Sequence, residues 1–342
     1  MAVLVLGGNG FIGAPLVRGL QVRGEAVTIL HRGGSPAPPG VEAVVGDRRD
    51  GAALERLVAD RGVRIVIDLL AFTEADTRPV LEALSGAIDR YVMVSSGDVY
   101  RNYGGLQRLE AATPVLEPLD EDAPIRTRPY PYRKASPRGP DDPERWMNDY
   151  DKIPLEVAAL RRLPSVIVRA PMVFGPGDRN RRFGWLIRPM AEQRPVILID
   201  EAWARWRTSY GFVDDVAEGV ALAALHPASA GGVFNVGPSD APDHLAWAQA
   251  FAEALGWTGE VRLGPAGQAP MSRALKGLDL TFPLQTDTRR IRERLGYREP
   301  TSAADALART IADELSRERP THLDAQYVAE DAMLGEASSP AP

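Results

Sequence analysis

Residues 2–13 read AVLVLGGNGFIG, and this stretch decides the fold class. Its first five residues are all apolar, which is typical of a strand buried on both faces of a parallel sheet. Three spaced glycines follow, then apolar residues at helical spacing over 11–22, and a second strand is predicted over 26–30. A strand, a glycine-rich turn, a helix and a strand within about thirty residues indicate a βαβ unit.

The alternation of strands and helices continues along the chain. It predicts an α/β fold of the Rossmann type, a doubly wound parallel sheet whose ligands bind beyond the carboxyl ends of the strands. Further strands are predicted over 41–45, 64–70, 90–94, 165–169 and 233–236, and helices over 51–61, 75–84, 154–163 and 216–225.

Three regions interrupt this alternation and suggest the domain organisation. Residues 101–149 are rich in proline, arginine and acidic residues, as expected of a functional cap. We expect a dinucleotide-binding domain over 1–174, to which 208–237 returns. A smaller C-terminal substrate lobe would combine 175–207 with 238–318, and 319–342 would form a flexible tail.

Composition excludes several function classes. The 342 residues include 40 Lys and Arg against 46 Asp and Glu, a net charge of −6 that argues against nucleic-acid binding. There is no cysteine, and the four histidines are scattered, so no metal site is expected. Residues 1–6 lack the basic start of a signal peptide, and the longest apolar runs are too short to span a membrane. The sequence therefore predicts a cytoplasmic protein with a small-molecule ligand.

The glycine spacing indicates which ligand the first turn holds. Gly7 permits a sharp turn, Gly10 lets the backbone approach a pyrophosphate, and Gly13 lets the helix pack tightly on the sheet. The N–H groups at the helix N-terminus then face the phosphates. We therefore predict that this turn binds a dinucleotide.

The residues after the second and third strands bear on the choice of nucleotide. The second strand ends in His31-Arg32 without a carboxylate, and an arginine can pair with the 2′-phosphate of NADP. Asp47, followed by Arg48, is placed to accept from the adenine amino group. NADP is therefore predicted in preference to NAD.

Six motifs in order make the sequence resemble the extended short-chain dehydrogenase/reductase family, the NAD-dependent epimerase/dehydratase group. The motifs are VLVLGGNGFIG at 3–13, YVMVSSGDVY at 91–100, DYDKIPLE at 149–156, VIVRAPMVFGPGD at 166–178, YGFVDDVAEG at 210–219 and FNVG at 234–237. The resemblance implies a sheet of about seven strands with a C-terminal substrate lobe. It also implies cofactor contacts from Phe11, Ile12, Leu70, Ser95 and Pro171.

The family's chemistry uses a serine, and a tyrosine and a lysine at YxxxK spacing. Ser96 and Lys152 match the serine and the lysine, but Asn148 stands where the tyrosine is expected, and an amide cannot exchange a proton near neutral pH. On a helix, Tyr150 would lie nearly opposite Lys152. Three interpretations stay open. Another group, such as Tyr150, Tyr100, a cap tyrosine or a water molecule, supplies the proton. Alternatively, the chain binds NADP without turnover and acts through a partner, or the chemistry needs no strong acid and Asn148 orients the substrate.

The substrate side is less specific. Tyr130 and Lys134 also have YxxxK spacing, but flanking prolines argue against a helix there, so Tyr130 is expected to act only from the cap. Arg179 and Arg207 are candidate contacts for a phosphate or carboxylate. The substrate is expected to be a nucleotide-sugar or another small carbonyl compound, and a homodimer is expected by analogy with the family.

Overall fold

The computed structural model describes residues 1–34, 36–133 and 135–338. Within them the chain forms eleven strands: β1 (Ala2–Leu6), β2 (Ala26–His31), β3 (Glu42–Val45), β4 (Ile65–Asp68), β5 (Arg90–Ser96), β6 (Ser165–Ala170), β7 (Met172–Phe174), β8 (Val196–Asp200), β9 (Tyr210–Phe212), β10 (Val233–Asn235) and β11 (Glu260–Gly264). The same residues form thirteen α-helices: α1 (Gly13–Val22), α2 (Gly51–Asp60), α3 (Glu74–Ala83), α4 (Arg101–Leu106), α5 (Lys152–Arg162), α6 (Gly184–Ala191), α7 (Glu201–Arg205), α8 (Val213–Leu225), α9 (His244–Leu255), α10 (Ser272–Leu275), α11 (Arg289–Leu295), α12 (Ala303–Ser316) and α13 (Leu323–Ser338).

Seven strands form one sheet in the order β10-β6-β5-β4-β1-β2-β3, and all of its pairs are parallel. The doubly wound sheet predicted from the sequence is confirmed. Strand order reverses between β1 and β4, because β2 lies on one side of β1 and β4 on the other. Ligands of such folds bind at this reversal, beyond the carboxyl ends of the strands.

The apolar run of β1 is buried because both faces of the sheet are covered. Val3 and Val5 pack into a cluster that includes residues of α1 and α8, whereas Leu4 and Leu6 pack against α2, α3 and α5. Alternate residues of a strand point to opposite faces, so a strand between two helical layers needs apolar side chains throughout. This double burial fixes the position of the glycine turn that follows β1.

The remaining strands build smaller pairs outside the main sheet. β7 pairs with β9, and β8 pairs with β11, both in parallel. Helices α6, α9 and α12 pack beside them around Phe183 and Phe251. Among the described residues, none of the helices is both long enough and apolar enough to cross a membrane.

Most of the segment predicted to be a flexible tail is helical in the structure. Helix α13 occupies Leu323–Ser338, where Leu323 and Tyr327 are buried. Arg194 lies 4.2 Å from the ring centroid of Tyr327 and 2.5 Å from Asp331, so long-range contacts order a segment whose composition suggested none. Residues 339–342 lie outside the described part of the chain.

Candidate functional site

The glycine turn is built from close backbone contacts that leave no room for a side chain at Gly13 and little at Gly10. The N–H of Gly10 donates to the carbonyl of Gly7 at 2.9 Å, and Gly7 itself has a positive φ of 89°. A Cβ on Gly13 would stand 2.1 Å from the Gly7 carbonyl oxygen. In the described part of the chain no side chain caps the N-terminus of α1, and Ile12 is its N-cap residue. The turn therefore presents backbone N–H groups at a helix N-terminus, the arrangement that favours phosphate.

A cleft of about 500 Å³, here called the outer cleft, lies at the ends of β2, β3 and β4. Arg32 is exposed on its wall. Asp47 also lines it, but its carboxylate is occupied by Arg49, whose side chain lowers the pKa of Asp47 to about 2. Arg48 bonds Asp68 at 2.9 Å and the Leu70 carbonyl. The cleft thus combines a partly buried, anchored arginine with more exposed cations, which suits a phosphorylated ligand.

The two predicted serines at the end of β5 have different environments. Ser95 is 3% exposed, and its hydroxyl donates to Glu156 at 2.5 Å, so its side chain belongs to the buried network beneath the sheet edge. Ser96 is less buried, and its hydroxyl accepts from the N–H of Asp98 at 3.2 Å. Because adjacent residues of a strand point to opposite faces, only Ser96 faces the site.

Lys152 is the first residue of α5, and it is 3% exposed. Its ammonium donates to the carbonyls of Ala71 at 2.6 Å and Val94 at 2.9 Å. Burial lowers the pKa of Lys152 to about 8, while the carboxylates of Asp98 and Asp68 oppose that change. Two carbonyls at the ends of neighbouring strands therefore fix the ammonium at the sheet edge.

The structure also revises the sequence argument about Tyr150. Helix α5 begins only at Lys152, with Asp151 as its N-cap, so Tyr150 lies before the helix and is free of the helical spacing that would place it on the far side. Its ring centroid is 5.7 Å from the ammonium of Lys152. Tyr150 therefore lies on the same side as Lys152 without any distortion of a helix.

Asp98 is the central group that the sequence reasoning missed. It is 4% exposed, and its Oδ2 accepts from the hydroxyl of Tyr150 at 2.8 Å and from that of Tyr132 at 3.0 Å. Burial raises the pKa of Asp98, whereas the hydrogen bond from Tyr150 and the charge of Arg126 lower it. The only sequence signal was its position, two residues after Ser96 at the end of a buried strand.

The resemblance implies that the lysine lowers the pKa of the tyrosine, but a different effect dominates here. Burial, together with the negative charge of Asp98 and the hydrogen bond to it, raises the pKa of Tyr150 well above its ordinary value. A hydrogen bond from Ser96 opposes the rise. Tyr150 is consequently a neutral phenol in this structure, able to donate a proton.

Asn148 and Tyr130 are not brought to the reacting groups. The Asn148 amide donates to the carbonyl of Arg138 at 2.9 Å and accepts from its N–H at 3.1 Å, so it holds the cap together and is not free to orient a substrate. Tyr130 is 36% exposed and stacks under the guanidinium of Arg133. Lys134, its partner in the alternative YxxxK pair, lies outside the described residues.

A second space, here called the inner cavity, extends from Ser96 toward the second lobe and encloses about 290 Å³. Pro171, predicted at the cofactor, lies on its wall. Arg182 also lines it, but its guanidinium bonds Asp178 at 2.7 Å. The other lining residues are Gly97, Asp98, Tyr103, Leu119, Tyr132, Ala170, Met172, Asn180, Thr208, Ser209, Leu284 and Thr286.

The two arginines predicted to bind substrate lie elsewhere. Arg179 lines the outer cleft, and Arg207 is exposed and outside the described walls of both spaces. The backbone of Arg207 accounts for this, because it forms a bridge with Asp243 and accepts from the N–H of Leu284. Six of the described residues that line the inner cavity carry hydroxyl groups, and neither predicted arginine is among its lining.

The residues present fit a nicotinamide dinucleotide. The glycine turn offers N–H groups and a close backbone approach, Arg32 lies at the end of β2, and Leu70 lies against Gly7. Phe11 is 3.4 Å from the Cβ that Gly177 would carry, so it joins the turn to the second lobe. Across the described residues, no group of three or more His, Cys, Asp or Glu side chains is placed to hold a metal ion.

Comparisons with known proteins agree with this geometry. Residues 3–237 match the family model described as the NAD dependent epimerase/dehydratase family. A 2′-dehydrokanamycin reductase from Streptomyces kanamyceticus is 43% identical over 98 residues, 28% of this chain and 28% of that relative. A 3-diazoavenalumate denitrifying reductase from a Streptomyces species is 30% identical over 325 residues, covering 90% of this chain and 100% of that protein. The structure of dTDP-glucose 4,6-dehydratase from Bacillus anthracis in complex with NAD shares the fold, with a TM-score of 0.66, 17% identity and coverage of 93% of this chain and 97% of the other.

Proposed function

The chain belongs to the NAD-dependent epimerase/dehydratase family of oxidoreductases and epimerases, and from this membership we propose that it is an NADP-dependent reductase of a small-molecule carbonyl compound. The observation that carries the proposal is the grouping of Ser96, Tyr150 and Lys152 around the carboxyl end of β5. Bound NADPH would supply the hydride. The chain's own residues would bind the carbonyl, orient it and supply the proton.

Each residue has a role that its contacts support. The Ser96 hydroxyl would donate a hydrogen bond to the substrate oxygen and polarise the carbonyl. Tyr150, a neutral phenol, would protonate the oxygen as negative charge develops on it. Lys152 would hold the nicotinamide ribose, since the carbonyls of Ala71 and Val94 already fix its ammonium at the edge of the sheet. Asn148 needs no chemical role in this proposal, because Tyr150 would supply the proton in place of the missing tyrosine.

NADP is proposed over NAD because of the charges around the outer cleft. Arg32 is exposed on its wall, and the neighbouring carboxylate of Asp47 is already bound by Arg49. Asp76, the other carboxylate on the described wall, lies 3.6 Å from the same Arg49. A 2′-phosphate would therefore meet cations there, whereas both described carboxylates that could select the 2′-hydroxyl of NAD are already paired with an arginine.

The inner cavity supports a compact carbonyl substrate in preference to a nucleotide-sugar. Its volume of about 290 Å³ is small, and the charge of Arg182 is neutralised by Asp178. Hydroxyls of Thr208 and Ser209 and the ring of Tyr132 offer hydrogen bonds and stacking without a free cation for a diphosphate. Two of the relatives described above are reductases, which is the reaction class proposed here.

The test is NADPH oxidation followed by absorbance, with a panel of compact ketones and a panel of nucleotide-4-ketosugars. We expect turnover with a compact ketone, and a loss of about 100-fold or more in kcat for Tyr150→Phe. Tyr130→Phe is the matched control, because Tyr130 lies on the exterior of the cap. Saturable NADPH binding without turnover on either panel would support the alternative, a nucleotide-binding protein that acts through a partner.

A further inference from the structure

A chain of hydrogen bonds joins the proposed proton donor to the wall of the inner cavity. Tyr150 and Tyr132 both donate to one oxygen, Oδ2 of Asp98. The two phenol rings lie edge to face with centroids 5.0 Å apart, and Tyr132 continues to the ring of Tyr103 at 5.9 Å. Tyr132 lines the inner cavity, so the chain runs from the site beside Lys152 to the substrate space.

The second oxygen of Asp98 gives this arrangement its chemical meaning. Within the described residues, Oδ1 is buried and has no hydrogen-bond partner. A buried carboxylate oxygen without a donor makes the anion costly, so such a group accepts a proton readily. The neutral acid would still let Oδ2 form a hydrogen bond with a tyrosine hydroxyl.

From this geometry we infer that Asp98 is the proton store of the reaction, exchanging a proton with Tyr150 through Oδ2 and with the inner cavity through Tyr132. Asp98 also lines the inner cavity, but it is a positioning residue in this scheme, since its proton would reach the substrate only through Tyr150. The inference rests on the proposed function, to which it adds the origin of the proton.

In the direction of alcohol oxidation, two protons and one hydride are transferred. The substrate O–H bond breaks and its proton passes to the Tyr150 oxygen, while the former Tyr150 proton passes to Oδ2 of Asp98. The hydride leaves the carbinol carbon for the oxidised nicotinamide nucleotide of the proposed function, and a carbonyl forms. In reduction the same transfers run in reverse. Because the Tyr150 hydroxyl gains one proton as it loses another, a phenolate that burial and Asp98 disfavour never has to persist.

Other charges around Asp98 limit how readily it takes the proton. Arg126 and Lys152 favour the carboxylate, and so do both hydroxyl donors. Burial opposes all of them and is the largest influence on the pKa of Asp98. The titratable or charged groups that face Asp98 are Tyr103, Tyr132, Tyr150, Arg126 and Lys152.

The first test needs neither cofactor nor substrate. In the full chain labelled with ¹³C at aspartate carboxyls, the Asp98 signal, assigned by its loss in Asp98→Asn, is titrated by NMR. We expect its midpoint to lie above the ordinary value of about 3.9, and to rise further in Tyr150→Phe and in Tyr132→Phe, because each variant removes a donor that favours the anion. Tyr130→Phe should leave it unchanged. An ordinary midpoint, or one that neither phenol changes, would overturn the inference.

The second test uses the pH profile of alcohol oxidation with NADP⁺. Asp98→Asn keeps an acceptor oxygen but cannot take a proton, so kcat should fall by about 100-fold and lose its limb at low pH, with KM and nucleotide affinity nearly unchanged. An Asp98→Asn enzyme with the kcat and pH profile of the wild type would overturn the inference. If the wild type binds no nucleotide, the proposed function fails, and the carboxyl titration still decides whether the hydrogen-bond chain exists.

Discussion

Alanine substitutions at Gly10, Gly13 and Gly19 separate the structural from the binding roles of the glycine turn and of helix α1, which follows it. A methyl group at Gly13 would stand 2.1 Å from the carbonyl oxygen of Gly7 and 2.8 Å from the Cα of Gly8, and contacts under 3.0 Å essentially never occur. Both neighbours are backbone atoms, so the strain cannot be relieved by a side-chain rotation. The backbone must separate by about 1 Å, and overpacking of this kind costs up to about 3 kcal/mol.

Gly10 and Gly19 provide the matched comparisons. A methyl group at Gly10 would meet only the Gly7 oxygen, at 3.1 Å, so Gly10→Ala should fold normally. The same methyl group occupies the surface where phosphates approach. The NADPH affinity of Gly10→Ala should therefore fall by at least about tenfold, or about 1.4 kcal/mol. Gly19 lies inside α1 with its nearest neighbour at 3.4 Å, so Gly19→Ala should gain about 0.5–1 kcal/mol of stability and bind normally.

Urea unfolding and calorimetric titration with NADPH measure the two properties for all three variants. We expect a loss of stability for Gly13→Ala, a loss of NADPH affinity for Gly10→Ala and neither loss for Gly19→Ala. A Gly13→Ala variant as stable as the wild type, or a Gly10→Ala variant with unchanged NADPH affinity, would refute these roles.

Three further predictions address the cofactor, the buried network and pH. Arg32→Asp should weaken NADPH binding by about 10- to 100-fold, since a charged hydrogen bond contributes about 1.5–3 kcal/mol, and it should change NADH binding little. Equal losses of NADPH and NADH affinity in calorimetry would contradict the proposal that Arg32 binds the 2′-phosphate. Glu156→Gln should lower the free energy of unfolding by about 3 kcal/mol, because Arg169, bonded to Glu156 at 2.8 Å, would be left as a buried unpaired cation. A loss below about 1 kcal/mol in urea titrations would show that the ion pair is dispensable for stability. Burial lowers the pKa of His244 to about 4, so between about pH 6.5 and 4 the unfolded chain binds one more proton than the folded chain, and stability falls as the pH is lowered. His244→Gln should flatten that part of the curve of unfolding free energy against pH. A variant curve with the wild-type slope would show that His244 does not cause this pH dependence.

The fold was predictable because its signals are local. The apolar run of β1 and the glycine spacing each specify one conformation through short-range sterics and burial, and the alternation of elements then leaves few topologies. The motif around Ser96 placed that residue at the end of β5, where the structure has it. Membership of the family followed from six such local motifs and is confirmed.

The chemistry around Tyr150 was harder to predict, because it depends on where one helix begins. The spacing argument assumed that residues 148–152 share a helix, but Asp151 accepts from the N–H of Ile153 and caps the helix at Lys152. Asp151 is held there by Arg126, a residue 25 positions away, at 2.6 Å. Contacts over that separation leave no periodic signal in the sequence.

Contacts between residues far apart in the sequence also set other positions in and around the site. Tyr132 reaches Asp98 across 34 residues, and Ser95 turns toward Glu156 across 61. Asn148 is held by the cap backbone at Arg138. The site roles, the preference for NADP and the homodimer stay predictions.

Calorimetric titration of the wild-type chain with NADPH, NADP⁺, NADH and NAD⁺ tests the central claim most directly. The account predicts saturable binding of both phosphorylated nucleotides, with affinities above those of NADH and NAD⁺. Absence of saturable heat with all four nucleotides would contradict it.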